Sequence, residues 1–393
     1  MSEKQITKKQ HYISQGLLRL FSIDGKSIFE CDINKKKQYN TRIVNAMEEN
    51  YTYEYPLLED NFLEKEFSKI ESEFIPQIVN IVNSLANNVP NLSSIYELVS
   101  SLFDTFLLFY YRSGAVLSEF SYGVNDNELR KRAKVRRLLE VITDRVYLKK
   151  LANILRNCYS FSVLYSKDNN FVISDQYIST VALSFKNQFI NSSNRAIGIK
   201  ESMVLLPLSS SYYIALFHGK VPAFIQSNEI CSLSQEEVFI INKIIYHNSF
   251  RKCAGPKENT LEILSQQEYS SFGATQVFFK SNDGKYGGYT NKKEVFFYKE
   301  DQEIYIHRIE YAMKYYELKK LYGKAHLQNI RCPCCSGYKF KKCCLKKYKK
   351  AYQSVEETQK AIQPDYKIGS ISEMPIYEFW SGDAQLSKKY LTK

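Results

Sequence analysis

The sequence contains a single tryptophan and no long apolar run. Its most apolar stretch, Phe106 to Tyr111 with its flanks, is interrupted by Asp104 and Arg112. That is far short of the roughly 20 apolar residues that span a bilayer, so no transmembrane helix and no membrane partner are expected. Met1 to Gln10 is polar, and the next apolar stretch is broken by Arg19 and Asp24. No secretory signal is visible, and an intracellular, cytoplasmic protein is expected. A Walker lysine loop, a G-x-S-x-G elbow and an H-E-x-x-H pair are missing too, which argues against those common enzyme classes. No internal repeat is visible. Cysteine is scarce outside one place: Cys31, Cys158, Cys231 and Cys253 are scattered, whereas the other five of the nine lie between residues 332 and 344. This distribution fits a reducing compartment and one metal site better than a disulfide framework.

Apolar residues make up 44% of the 393, enough to supply real cores. The 31 Tyr and 24 Phe suit cores and β-structure, and tyrosine is also common on surfaces that meet partners. A formal charge of +12 favours acidic partners such as nucleic acid, the ribosome or an anionic surface, although many basic proteins bind none of these.

The pattern predicts an α+β fold, with a mixed helical and antiparallel-sheet N-terminal domain and a small C-terminal zinc knuckle. A small hairpin is expected around the Asp24-Gly25 turn. A helical stretch from Leu57 to about Val89 should be bent or divided by Pro76. Ser94-Ile95-Tyr96-Glu97 reads as a capping box opening a core helix that reaches roughly Glu119. A long basic helical stretch should run from Glu128 to Asn157. Phe161 to Tyr165 and Phe171 to Ser174 read as a hairpin, continued by strands Met203 to Leu206 and Tyr212 to Phe217. Ser234 to Glu237 is a second capping box, opening a helix to near Cys253. Strands Gln276 to Lys280 and Glu294 to Lys299 should flank a loop containing Asp283-Gly284-Lys285-Tyr286-Gly287-Gly288, far more plausible as a hairpin loop than as a phosphate cradle. A helix from about Ile304 to Tyr322 leads into the cysteines, and its Glu317-Leu318-Lys319 mimics a nuclease fragment on the wrong type of element. The expected domains are 1–255, an extension over 256–328, a knuckle over 329–350 and a tail over 351–393.

The cysteine-rich segment has the spacing C-x-C-x-S-G-x5-C-C from Cys332 to Cys344. Zinc prefers four soft or borderline ligands in a tetrahedron, and a tight turn through Ser336-Gly337 would return the second pair to the first. Over about 20 residues the segment resembles the SEC-C motif, the zinc-binding tail best known from the SecA translocation ATPase and found on many bacterial proteins. The resemblance implies that Cys332, Cys334, Cys343 and Cys344 are ligands of a structural Zn2+. Cys335 then stands where the family usually has glycine or another non-ligand, a spare thiol able to compete. Four cysteine ligands leave no open position for catalysis. The alternative is a reduced, metal-free cluster on a flexible tail. Residues 331–350 hold eight Lys or Arg and no acid. Lys339, Lys341, Lys342, Lys346 and Lys347 are therefore candidate contacts to phosphate or to an acidic protein, against the plainer reading of a solvated face. In the SecA family the knuckle serves docking to partner proteins and the ribosome.

The larger region resembles domain of unknown function 4238, found in many bacteria, over roughly residues 8–255. His11-Tyr12-Ile13-Ser14-Gln15 with Leu18 and Phe21 is similar to its opening pattern, with Ser14 where proline usually stands. Leu63-Glu64 and Ile70-Glu71, Tyr110-Tyr111-Arg112, Phe171 to Asp175, Leu206 to Ser209 and Asn242 follow in order. The resemblance supplies an architecture and a set of polar positions without an agreed reaction. His11 is a candidate general base, metal ligand or phosphate donor, although a lone histidine is more often structural. Glu64 and Glu71, seven apart on one helical face, could bind a divalent cation or pair with Lys65 and Lys69. Arg112 requires an acidic partner or an anionic ligand if buried, and Asp175 is a plausible partner. Convergence of these five would suit phosphodiester hydrolysis by a nuclease-type effector in phage defence or a toxin system. The alternative is a non-enzymatic adaptor whose knuckle docks a protein partner.

Overall fold

The computed structural model describes residues 9–50, 58–87, 91–114, 127–184, 197, 201–267, 275–280, 286–291 and 295–362. The chain divides into two compact units, one built from the described parts of Met1–Val181 and Ala196–Tyr269, the other from those of Ala182–Arg195 and Ser270–Met374. The fold is α+β.

In the first unit, strands β1 (Lys9–His11) and β4 (Glu48–Asn50) form a short antiparallel pair. Between them lie helix α1 (Gln15–Leu20) and the hairpin of β2 (Ser27–Asp32) and β3 (Lys37–Arg42). Asp24 shapes the turn before β2 by accepting backbone bonds from Lys26 and Ser27, both at 2.8 Å. Helix α2 (Phe62–Leu85) buries Leu63, Phe67, Phe74, Ile78, Ile81 and Leu85, the stripe its helical period predicts. It runs as one element through Pro76, which sits on its exposed side. Gly16 lets α1 approach that helix, since a Cβ there would lie 2.8 Å from Ile75 Cγ2.

The core helix differs from the sequence expectation. Asn91, not Ser94, caps α3 (Leu92–Ser101), its side chain accepting from Ser94 N at 3.2 Å. The path then bends by 46° into α4 (Phe103–Arg112). Asn91 directly follows Pro90, so the cap forms at the first position free to accept it. Every residue of α4 from Phe106 to Arg112 is buried. Residues 115–119, where the helix was expected to end, lie outside the described residues. The long basic stretch is two helices, α5 (Asn127–Thr143) and α6 (Val146–Cys158). Among the described residues no single helix is long and apolar enough to cross a membrane.

Strands β5 (Ser160–Tyr165), β7 (Ser179–Ala182), β8 (Ser202–Pro207), β9 (Tyr212–His218) and β10 (Ile230–Ser232) form a sheet in the order β10-β5-β9-β8-β7. Strand β6 (Ile173–Ser174) joins instead a second sheet, β3-β2-β11-β6, through β11 (Lys252–Gly255). The expected 161–174 hairpin is thus replaced by a crossing between sheets. Asn242 explains it: its side chain accepts from Val172 N at 3.1 Å and donates to Asn170 O at 2.7 Å, drawing that segment away from β5. Asn242 lies on α7 (Gln235–Asn248), which starts with the expected capping box of Ser234 and Glu237. It ends before Cys253, which belongs to β11, and α8 (Glu258–Ser265) follows.

In the second unit, β12 (Thr275–Lys280) pairs with β13 (Tyr286–Asn291), so Gly287 and Gly288 lie within a strand rather than in a loop. Of the strand expected over Glu294 to Lys299, Glu294 lies outside the described residues, Phe296 makes only a bridge to Ala182, and Lys299 already opens helix α9 (Lys299–Ile306). Helices α10 (Arg308–His326) and α11 (Leu345–Ile362) complete the unit. Gly323 interrupts α10 with φ 68°.

Candidate functional site

After α10, a 3-10 turn over Leu327–Asn329 buries Leu327 with Tyr315, Cys332, Phe340 and Tyr348 in a small core. On that base the chain forms a tight knuckle. Phe340 N donates to Ile330 O and Cys332 N to Tyr338 O, each at 2.8 Å, and Arg331 bridges to Lys339. Gly337 turns the chain at φ 78°, in the left-handed region that favours glycine.

This brings one sulfur from each of Cys332, Cys334, Cys343 and Cys344 within 4.8 Å of one another. Consecutive Sγ separations are 3.2 Å (Cys332 to Cys334), 3.4 Å (Cys334 to Cys343) and 3.6 Å (Cys343 to Cys344). A tetrahedral zinc with Zn–S bonds near 2.3 Å has a sulfur–sulfur edge of about 3.8 Å, so the donor set is of the right kind and size for such an ion. Burial pushes the Cys344 thiol well above its ordinary value, while hydrogen bonds from Ser336 and then Cys332 bring Cys334 down to about 6. The four thiols can therefore hold a metal ion, and they are compatible with zinc.

Cys335 stands outside this group. It is exposed, its Sγ lies 3.8 Å from Pro333 O, and its φ of 61° places it in the left-handed region. A side chain there is disfavoured by about 1–2 kcal/mol, which accounts physically for glycine suiting that turn.

The cations beside the cluster are not equivalent. Lys347 lies 2.7 Å from Glu303, and Lys350 2.6 Å from Asp301, both pairs joining α9 to α11. The Glu303 bond raises the Lys347 ammonium above its usual value; burial opposes ionisation of Glu303, but Lys347 and Tyr311 together outweigh it and hold the carboxyl low. Arg331, Lys339, Lys341, Lys342, Lys346 and Lys349 are exposed.

The polar residues of the first unit form a different kind of cluster. Arg112, at the end of α4, is buried, and its Nη1 lies 2.8 Å from Glu71 Oε1. Its Nη2 donates to the backbone carbonyls of His11 and Tyr12, both at 3.0 Å. The guanidinium lies over the rings of Phe67 (4.5 Å) and Phe109 (5.1 Å). The arginine's acidic partner is thus Glu71 rather than Asp175. Asp175 instead accepts from the backbone amides of Phe250 (2.8 Å), Arg251 (2.7 Å) and Lys252 (2.9 Å), fastening the chain between α7 and β11. Glu64 stands in the first turn of α2, two turns before Glu71 and about 10 Å from it along the axis.

His11 sits opposite Glu48 across the β1–β4 pair. Burial lowers its pKa below the ordinary 6.5, against the raising influence of Glu48. The structure therefore brings His11, Glu71 and Arg112 together, and it adds residues that spacing did not mark: Glu48, Tyr12 through its carbonyl, and Tyr177. The Tyr177 hydroxyl accepts from Ser14 N at 3.0 Å, and its ring stacks on Phe109 at 4.8 Å. Ser14 also caps α1 through its hydroxyl, which accepts from Leu17 N. A proline at position 14 would lack the N–H that reaches Tyr177.

A family model described as Protein of unknown function (DUF4238) matches residues 9–258. The chain belongs to that family. Neither the curated proteins nor the solved structures contain a match to it. The DUF4238 match takes in the Arg112 cluster and the Asp175 fastening, and it ends before the four clustered thiols.

Proposed function

We propose that the protein is a docking factor in which a zinc-stapled knuckle of the SEC-C type carries the DUF4238 domain to a nucleic acid or a nucleic-acid-rich assembly such as the ribosome, in the bacterial cytoplasm. The observation that carries this reading is the six exposed cations, Arg331, Lys339, Lys341, Lys342, Lys346 and Lys349, around four thiols of suitable spacing, in a stretch without an acid. In this proposal Cys332, Cys334, Cys343 and Cys344 hold Zn2+, which shapes the surface and takes no part in chemistry. The exposed lysines meet phosphates, releasing counterions as they do so.

An adaptor role for the DUF4238 domain is favoured over phosphodiester hydrolysis in phage defence or toxicity. Glu71 and Arg112 neutralise each other, and Asp175 holds three backbone amides, so three of the five expected catalytic residues are engaged in the fold.

The test is the salt dependence of oligonucleotide binding by the full chain. Replacing Lys339, Lys341, Lys342 and Lys346 with Gln should weaken binding and reduce the slope of log affinity against log salt by up to about three, near 0.7–0.9 for each phosphate no longer neutralised. An unchanged slope would exclude phosphate contact by these lysines and point to an acidic protein partner.

A further inference from the structure

One side chain of the knuckle does nothing visible for the fold. Tyr338 is 63% exposed, and among the described residues its ring has neither an aromatic neighbour nor a side-chain hydrogen bond. Two residues later Phe340 behaves in the opposite way: it is fully buried and packs edge-on against Tyr348 at 5.4 Å. A core function for aromatic residues in this turn is therefore already filled by Phe340.

The backbone of Tyr338 is nevertheless fixed. Its carbonyl accepts from the amide of Cys332, one of the four clustered thiol residues, and Gly337 before it sets the turn. The ring is thus held out on a stapled backbone, so little backbone freedom remains to be lost when something covers it. Around it in sequence are exposed Arg331, Lys339, Lys341 and Lys342, with Arg331 and Lys339 bridged directly across the turn. An exposed aromatic face flanked by cations is the combination that takes a nucleobase on the ring and its phosphates on either side. A duplex cannot use it without disruption, because its bases already stack on each other.

Resting on the nucleic-acid reading above, we infer that the knuckle selects single-stranded nucleic acid, with Tyr338 stacking on an unpaired base while Arg331 and the neighbouring lysines hold the adjacent phosphates. Aromatic stacking supplies the preference for unpaired bases, and the cations supply affinity that either form can use.

The experiment measures binding of the full chain to fluorescein-labelled oligouridine and to the same strand annealed to oligoadenosine, with zinc content recorded for every variant. Tyr338→Ala should weaken oligouridine binding about ten-fold and leave the duplex within about two-fold, while Tyr338→Phe keeps the wild-type preference. Unchanged zinc content in Tyr338→Ala shows that the knuckle is still assembled. Equal weakening on both probes, or no weakening on oligouridine, overturns the stacking role. If the wild-type protein binds both probes in a salt-dependent way and Tyr338→Ala leaves its affinity for each unchanged, only this inference falls; if it binds neither probe, the nucleic-acid reading falls with it.

Discussion

The DUF4238 domain and the cysteine knuckle use charged residues in opposite directions. In the first, Arg112, Glu71 and Asp175 bind side chains and backbone of their own unit, so charge is neutralised inside. In the second, two lysines brace α9 to α11, and the other six cations of residues 331–350 face outward. A buried charge needs a partner within the fold, whereas an exposed one remains available to a partner outside it. Charge alone therefore says little about binding until its destination is known.

The largest effect that would sharpen this contrast is on the thiols. If the cluster holds zinc as proposed, Cys332→Ser should reduce bound zinc from about one equivalent to almost none, because it removes one of the four clustered thiols, whereas Cys335→Ser should leave zinc unchanged. Metal analysis of the two purified variants decides it, and equal loss in both would remove Cys335 from its place outside the cluster.

Next comes the internal pair. Arg112→Met should destabilise the DUF4238 domain by about 3–5 kcal/mol, since Glu71 and two carbonyls lose their cation together. Asp175→Asn should cost about 1–3 kcal/mol by weakening the acceptor of three amides. Denaturant unfolding measures both. Either variant melting like the wild type would show that its charge is not a fastening and would reopen a catalytic role.

The smallest effect is on pH dependence. His11 has a lowered pKa in the folded state, so folding favours its neutral form, and that preference is harmless above the ordinary value of 6.5. As pH falls below about 6.5 the unfolded chain takes up the proton first and stability declines. His11→Asn should flatten this acid-side decline. A decline identical in the variant would assign it to other groups.

What could be read in the sequence follows the range of each interaction. The thiol cluster closes within residues 332–344, so spacing carries nearly all its information. The Ser234 to Glu237 capping box is equally local and forms as expected. Arg112 could be suspected from its place at the end of an apolar helix, but Glu71 reaches it from another helix. Two further acceptors are the carbonyls of His11 and Tyr12, which every residue type possesses. The crossing at β6 escaped for the same reason, because Asn242 redirects Val172 from 70 residues away. Among the lysines, spacing could not separate Lys347 from Lys346, since only packing places Glu303 beside the former.

The bond from Ser14 to Tyr177 also carries a consequence for synthesis. The two residues are 163 positions apart. At roughly 5–20 residues per second, a ribosome makes the serine about ten to thirty seconds before the tyrosine it must meet. Arg112 arrives earlier and can grip the carbonyls of His11 and Tyr12 first, giving the opening strand a provisional hold before its second fastening emerges. The bond that fixes Ser14 thus waits for Tyr177, yet it can still form before β11 emerges to pair with β2.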